Sequence, residues 1–328
     1  MSAPAENHSL YHNLKLGPLT LEGNLVLGPM AGYTDRAFRA LCSDAGASMT
    51  CTEMVSTEGL VRDSRNTFNL LLVSPLERAP AIQLFGSEPG TFAQAVRRIP
   101  SGRFAAVDIN CGCPVPKVVK TGAGAALMTE PLKIAQIIRA VRSETDLPVT
   151  IKIRTGWDDR SLTYLQTGEL AQDAGAAAVC LHCRTRSQFY TGRPDYAAAA
   201  KLKAALDIPV IVSGDLFTPA DVKNVLMQTR CDGAMIARGA IGRPYVFSQT
   251  ISLLQTGAFT EPALKHKTGL FLRQLELMAA DRGELTACRE MRKHVPFLLK
   301  GIPGSARVRQ ACSVAETIES YKQALGSL

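Results

Sequence analysis

One pattern recurs through residues 25–240: a short apolar or β-branched run, a polar or Gly-containing turn, then an amphipathic stretch. Eight runs carry it: LVLGPM (25–30), MTCTEM (49–54), AIQLF (81–85), AAVDIN (105–110), VTIKIR (149–154), AVCLHC (178–183), VIVSG (210–214) and GAMIAR (233–238). Their apolar character is largely continuous, which suits strands covered on both faces, as in a parallel sheet. The stretches between them read as helices. Thr34-Asp35 caps one that runs through Ala45, residues 131–144 open on Pro131 and keep an apolar face, and Thr218-Pro219-Ala220-Asp221 starts another. Eight β-α units predict an α/β fold of the TIM (β/α)8 barrel type over an open doubly wound sheet, which has fewer strands. After about residue 245 the period changes. YVFSQTISLL completes the last unit, GAFTEPALKHKTG marks a boundary, and LFLRQLELMAADRG, CREMRKHVPFLLKG and SVAETIESYKQAL predict three helices with no strand between them. The expected organisation is a barrel over 1–250 and a small C-terminal helical domain over 260–328.

In such a barrel, function collects at the C-terminal ends of the strands. Those ends read Pro29-Met30, Glu53, Gln83, Asn110 to Cys113, Lys152 to Arg154, His182 to Arg184, Ser213-Gly214-Asp215 and Ala237-Arg238-Gly239. Polar groups stand where a core strand would be apolar, and this clustering predicts an enzyme. The last two ends fall in Gly-containing turns, the second leading straight into a helix. Backbone amides at such turns bind phosphate, and the loops after strands seven and eight are where TIM barrels often hold one. A phosphorylated cofactor or substrate is expected. The stretch Asp108-Ile109-Asn110-Cys111-Gly112-Cys113-Pro114 ends a buried strand by presenting an Asn and two thiols, and VPKVVKTGAGAAL after it reads as a mobile basic loop. Cys113 is the expected chemical centre; Cys111, two residues earlier, reads as packing on the strand. Lys152 sits in an apolar strand and needs an anionic partner, which either a ligand or an internal salt bridge to Asp108 would supply. His182 reads either as a core histidine or as a ligand-facing group, and Glu53 as a structural cap.

The nine Cys are odd in number and several lie in apolar runs, which predicts reduced thiols. Cys111-x-Cys113 and Cys180-x-x-Cys183 with His182 also raise a zinc site, but small buried packing thiols are the commoner use, and no metal is expected. The net charge of +8 is uneven: residues 262–328 hold eleven Lys/Arg and six Asp/Glu. That tail fits a polyanionic partner, RNA or DNA, and equally a solvated helical surface. No apolar run approaches the roughly 20 residues a membrane helix needs. MSAPAENHSLYHNLKLG lacks the apolar core of a leader, so a cytoplasmic protein with no membrane contact is expected.

The ordered set GPMAGYTDRAFR, IQLFG, DINCGCPVPKVVKTGAGAAL, VTIKIRTGWDD, LHCRTRSQFYTG, SGD and MIARGAIGRP resembles the tRNA-dihydrouridine synthases, and REMRKHVPFLLKGIPG resembles their bacterial B-type branch. The resemblance covers about 15–320. It implies an FMN-bound barrel with a helical tRNA-binding domain, and NADPH-driven reduction of the C5–C6 bond of a uridine in tRNA. By position, Pro29, Met30 and Ala31 match the segment under the flavin. Gln83 and Lys152 match side chains bonding the flavin edge, and His182 a residue at flavin and substrate. Ser213, Gly214, Asp215, Ala237 and Arg238 match the FMN phosphate loops. Asn110 and Arg154 match positions near the base, and Cys113 the general acid. Two departures stand out: the family usually has Asn where Ser213 stands and Gly-Arg where Ala237-Arg238 stands. Ser keeps a hydrogen-bonding group, and Ala is tolerable where φ stays negative.

On this reading, hydride reaches C6 of a uracil polarised by its C4 carbonyl, and Cys113 gives a proton to C5 from the opposite face. An extruded base needs phosphate contacts to offset its unstacking. Arg184 and the triplet Arg289, Arg292 and Lys293, placed on one helix face by i, i+3, i+4 spacing, are the main candidates, beside Lys117, Lys120, Arg186, Arg307 and Arg309. A monomer is expected. Three rivals remain: an FMN barrel reducing a small pyrimidine or enoate, a Schiff-base aldolase using Lys152, and a non-catalytic RNA-binding scaffold.

Overall fold

A computed structural model describes residues 9–328; residues 1–8, which open the segment read above for a leader, lie outside the described residues. Eight parallel strands form a ring: β1 (Leu25–Leu27), β2 (Met49–Cys51), β3 (Pro80–Phe85), β4 (Ala106–Cys111), β5 (Val149–Arg154), β6 (Ala178–His182), β7 (Val210–Ser213) and β8 (Gly233–Ile236). Each pairs with the next, and β8 returns to β1 through Ala234↔Leu25 and Ile236↔Leu27, so the sheet is closed. All eight fall on the runs read from sequence. A two-residue strand, Val55–Ser56, also pairs with the end of β3.

The helices between strands start where the capping chemistry puts them. Asp35 accepts a hydrogen bond from Phe38 N at the head of Arg36–Asp44. Thr218 and Asp221 form a reciprocal capping box on Pro219–Thr229, and Pro131 occupies the first turn of Pro131–Arg142. Their apolar faces and the outward side chains of the strands make the largest core, which includes Leu25, Leu27, Ile109, Cys111 and Cys183. Side chains of the opposite parity point into the barrel. At its N-terminal end these are Val26, Met49, Cys51, Ala81, Ala106, Ala178, Cys180, Ile211 and Met235. A hairpin, Leu14–Leu16 with Leu19–Leu21, seals that end with Leu14, Leu16 and Leu21. The sequence reading contained no such plug.

Two expectations need correction. The segment after β4 is folded rather than an open loop: it forms a helix at Pro116–Val119 and a 3-10 helix at Gly124–Thr129, and Ala125 N donates to Cys113 O at 3.0 Å. The tail has five helices where three were expected: Leu264–Arg282, Glu284–Met291, Val295–Leu298, Ala306–Val314 and Ile318–Gly326. Pro296 restarts the chain after Met291, and Thr317 caps a fresh helix where SVAETIESYKQAL read as one. No helix among the described residues is long and apolar enough to cross a membrane.

The tail packs around Phe271, Leu275, Met278, Cys288, Met291 and Tyr321, and the same cluster takes in Ala37 from the barrel helix Arg36–Asp44. Tyr321 Oη donates to Cys288 O at 2.8 Å, and Arg36 Nε to Asp281 Oδ2 at 2.9 Å. Leu275 is fully buried there. Leu275→Ala should cost about 2–5 kcal/mol, read by denaturant melting. Because Ala37 shares the cluster, barrel and tail should then melt together, so a tail transition separate from the barrel's would contradict the shared core.

Candidate active site

The barrel interior changes character in layers. Above the apolar floor, in-register neighbours on three strands are polar: Gln83 on β3 lies beside Asp108 on β4, and Asp108 beside Thr150 on β5. One layer higher, Asn110 pairs with Lys152, Arg154 with His182, and His182 with Ser213. The period of two in a strand places these groups on the inner face and leaves Cys111 on the outer one, in the helix-facing core. A cleft of about 430 Å³ opens above them at the C-terminal rim. Pro29, Met30 and Ala31 form one part of its wall, and Gln83, Asn110, Cys113, Lys152 and His182 another. Arg154 and the loops Ser213-Gly214-Asp215 and Ala237-Arg238 complete it.

A hydrogen-bond chain crosses the middle layer. Asp108 is 2% exposed and accepts from Thr150 Oγ1 at 2.7 Å and from Gln83 Nε2 at 2.6 Å. Gln83 Oε1 accepts from Asn110 Nδ2 at 2.8 Å, and Asn110 Oδ1 accepts from Cys113 N at 2.9 Å and Gly112 N at 3.2 Å. Both carboxylate oxygens of Asp108 are therefore engaged away from Lys152, and the internal salt bridge is not made. Burial raises Asp108 to about 6, against the pull of Gln83, Thr150 and Lys152. Cys113 is half-buried; burial raises its thiol, while the Val115 amide, Lys152 and Arg154 oppose the rise. The other eight thiols are buried, all nine are free, and Cys111, Cys180 and Cys183 do not converge. Among the described residues no group of three or more His, Cys, Asp or Glu could hold a metal ion.

The cleft is strongly cationic. Arg154 donates to Gly112 O, Thr185 O and Phe189 O at 2.8–2.9 Å, and burial brings its guanidinium down to about 10. Burial and four neighbouring cations hold His182 well below the ordinary histidine range, so it is neutral at pH 7. Its Nδ1 is buried without a partner. The one carboxylate of the wall, Asp215, is already paired with Arg184 and with Arg238 at 2.7 Å. Asp215 adopts φ +49 and Ala237 φ −120, so the Ala in the strand-eight turn sits without left-handed strain. A Cβ on Gly239 would lie 2.2 Å from Leu216 O, so the two loops meet backbone to backbone. Lys152, which among the described residues has no ion-pair partner, an orphaned His182 nitrogen and two touching Gly-bearing turns fit a phosphorylated, anionic cofactor.

Aromatic groups that the sequence reading passed over also build the cleft. Arg238 lies between Tyr190 and Phe217, 4.5 and 5.3 Å from their ring centroids. Phe297 of the tail meets Tyr33 of the barrel edge-on at 6.1 Å, and both line the cleft. Tyr190 stands in LHCRTRSQFYTG, next to a residue of helix-breaking φ (Phe189, φ +51), and nothing local distinguishes it from a surface Tyr. Four proposed phosphate contacts are redistributed. Arg184 is 1% exposed and its donors hold Asp215, Thr191 O and Gly192 O, so it positions Asp215 instead of reaching a substrate. The triplet Arg289, Arg292 and Lys293 shares no helix face, because the helix stops at Met291. Arg292 donates to Ala315 O, Arg289 pairs with Glu316 at 3.0 Å, and Lys293 lies 5.4 Å from the Tyr33 ring.

The sequence profile described as dihydrouridine synthase (Dus) matches residues 26–326. A probable tRNA-dihydrouridine synthase of Treponema pallidum (strain Nichols) is 42% identical over 326 residues, covering 96% of each chain. A tRNA-dihydrouridine synthase B of Xanthomonas campestris pv. campestris is 38% identical, over 94% of this chain and 93% of the relative. Among solved structures, morphinone reductase superposes with TM-score 0.55 at 13% identity, covering 81% of this chain and 94% of that one. 2-Naphthoyl-CoA reductase superposes with TM-score 0.59 at 10% identity, covering 74% and 52%. At such identities these likenesses concern the fold. With a matching profile along nearly its whole length and a relative at 42% identity over 96% of the chain, the chain belongs to the dihydrouridine synthase family.

Proposed function

We propose that the protein is a flavin-dependent oxidoreductase that reduces the C5–C6 bond of specific uridines in tRNA, with FMN as the bound flavin and NADPH as the electron donor. The observation that carries this reading is the position of Cys113. It is the one incompletely buried thiol of nine, and it lines the same cleft as the loops after β7 and β8.

Lys152, Gln83 and His182, with the backbone of Pro29, Met30 and Ala31, would hold the flavin ring. Ser213, Gly214, Asp215, Ala237 and Arg238 hold its phosphate. Reduced flavin, when bound, supplies hydride to C6 of the uracil, which no side chain can do. The protein's own residues do the rest. Asn110 and Arg154 orient the base from the inner wall. Cys113, protonated at neutral pH because burial raises its thiol, holds the proton destined for C5. Exposed Lys117, Lys120, Arg307 and Arg309 offer phosphate contacts around the mouth and along the tail. Those contacts offset the few kcal/mol of unstacking that extrusion costs. The protein works as a monomer in the cytoplasm.

Purified protein should be yellow. Cys113→Ala should keep its flavin, its reduction by NADPH and its tRNA affinity, while dihydrouridine formation measured by mass spectrometry falls by about 10²–10⁴-fold. Unchanged turnover would remove Cys113 from the role. Gly239→Ala should force the two phosphate loops apart: flavin retention through gel filtration should drop, with about 1–3 kcal/mol lost in stability. A fully flavinated Gly239→Ala protein would place the phosphate elsewhere.

A further inference from the structure

The middle layer of the barrel holds a charged group that the proposed chemistry leaves without a task. Asp108 lines no part of the cleft and is 2% exposed, so it touches neither substrate nor cofactor. Its connections nevertheless lead to one place. An ionised carboxylate only accepts hydrogen bonds. Gln83 must therefore turn its amide nitrogen to Asp108, at 2.6 Å, and its oxygen to Asn110. Asn110 must then give its nitrogen to Gln83 and its oxygen to the backbone of the next turn, where Cys113 N donates at 2.9 Å. The far end makes the same demand independently: the amides of Gly112 and Cys113 only donate, so Asn110 has to present its oxygen to them. The two amide orientations are thus fixed from both ends by donors and acceptors that cannot be reversed.

We propose that Asp108 is a positioning residue for the proton donor: through Gln83 and Asn110 it sets the polarity of a relay that holds the Cys113 turn in its working geometry. The proposal rests on the reading of Cys113 as the acid, but the relay is testable without RNA. Cys113 is the one thiol that is not buried, so alkylation of the native protein by iodoacetamide reports on it directly. Asp108 is not among the groups that act on the Cys113 thiol through space, which are Val115, Lys152 and Arg154. Because Asp108 and Cys113 both interact with Lys152, the effect that belongs to the relay is the one reversed when the donor–acceptor pattern is restored with the charge kept.

Four variants separate the cases. Asp108→Val removes the anchor. Gln83→Glu sets two carboxylates against each other. Asp108→Asn keeps an acceptor toward Gln83, because the Thr150 hydroxyl can take the new N–H. The double variant Asp108→Asn/Gln83→Glu moves the charge by one residue and restores every donor–acceptor pair downstream. The readout is the pH profile of Cys113 alkylation, together with the rate at which tRNA reoxidises the reduced flavin. Asp108→Val and Gln83→Glu should each lift the alkylation midpoint by about one pH unit, since a loosened turn loses the Val115 amide contact. Both should slow reoxidation by tRNA at least tenfold. Asp108→Asn should alkylate like the parent, and the double variant should alkylate closer to the parent than Gln83→Glu alone does. Should Asp108→Val fail to fold, Gln83→Glu and its rescue carry the test. Parental profiles in the two disruptive variants, or no rescue in the double variant, would overturn the relay. The expected alkylation pattern in a protein whose flavin tRNA never reoxidises would leave the relay standing and overturn the uridine-reducing function.

Discussion

Everything at the active rim depends on β1 pairing along both its edges, with β8 on one side and β2 on the other. That closure removes the sheet's free edges and brings the C-terminal ends of all eight strands to one ring. Met30 and Arg238, more than 200 residues apart in sequence, become neighbours on the wall of one cleft, since β8 pairs with β1. Closure also leaves only a narrow interior. Small side chains such as Ala81, Ala106 and Ala178 fill its floor, and three hairpin leucines stop it from below. With the floor dry and closed, polar groups can enter only from the upper layers. The buried chain from Thr150 through Asp108 to Asn110 is tolerable there because each member is hydrogen-bonded.

Charge then decides what the cleft can accept. Lys152, Arg154 and Arg238 face a space whose one carboxylate, Asp215, is already shared by two arginines. The crowding is visible in Arg154, brought down to about 10, and in His182, held neutral by burial and four cations. Such a field is costly in an empty site and becomes favourable when an anion enters. The two departures from the family pattern do not disturb this. Ser213 ends β7 in register with His182 and Met235, where its hydroxyl remains a hydrogen-bonding group. The methyl of Ala237 hangs on an ordinary negative φ.

The barrel was readable because the signals for it are local. Eight apolar runs at regular spacing, Asp35 and Thr218 as caps and Pro131 at a first turn each act within a few residues. The strand ends were readable for the same reason, since a polar residue closing an apolar run betrays the rim. What escaped depends on distant partners. Arg184 looks like a surface cation until Asp215, 31 positions later, folds against it. Phe297 looks like a tail core residue until the turn at Gly242 packs under it, with a Cβ there lying 2.8 Å from the Phe297 Cβ. The hairpin at Leu14–Leu21 uses three-residue strands, too short for periodicity to register. The basic triplet failed because the helix ends at Met291 and a new short one starts at Val295 with Pro296 in its first turn, leaving Arg292 and Lys293 in the turn between them.

The choice of thiol follows from strand parity and not from reactivity. Cys111 ends β4 on its outer face, sealed in the helix-facing core, where burial pushes its thiol far above the ordinary range. Two residues on, Gly112 and the Asn110 side chain turn the backbone out of the strand and carry Cys113 to the cleft. There the opposing influences are of different kinds. Burial acts on the thiol in every state of the protein, whereas the pull of Lys152 and Arg154 toward thiolate lasts only while their charges are unmatched. An anion held by Lys152 weakens that pull and leaves burial in command. On the proposed reading of Cys113 as the acid, the same occupancy keeps that thiol protonated, which is the condition a proton donor has to satisfy.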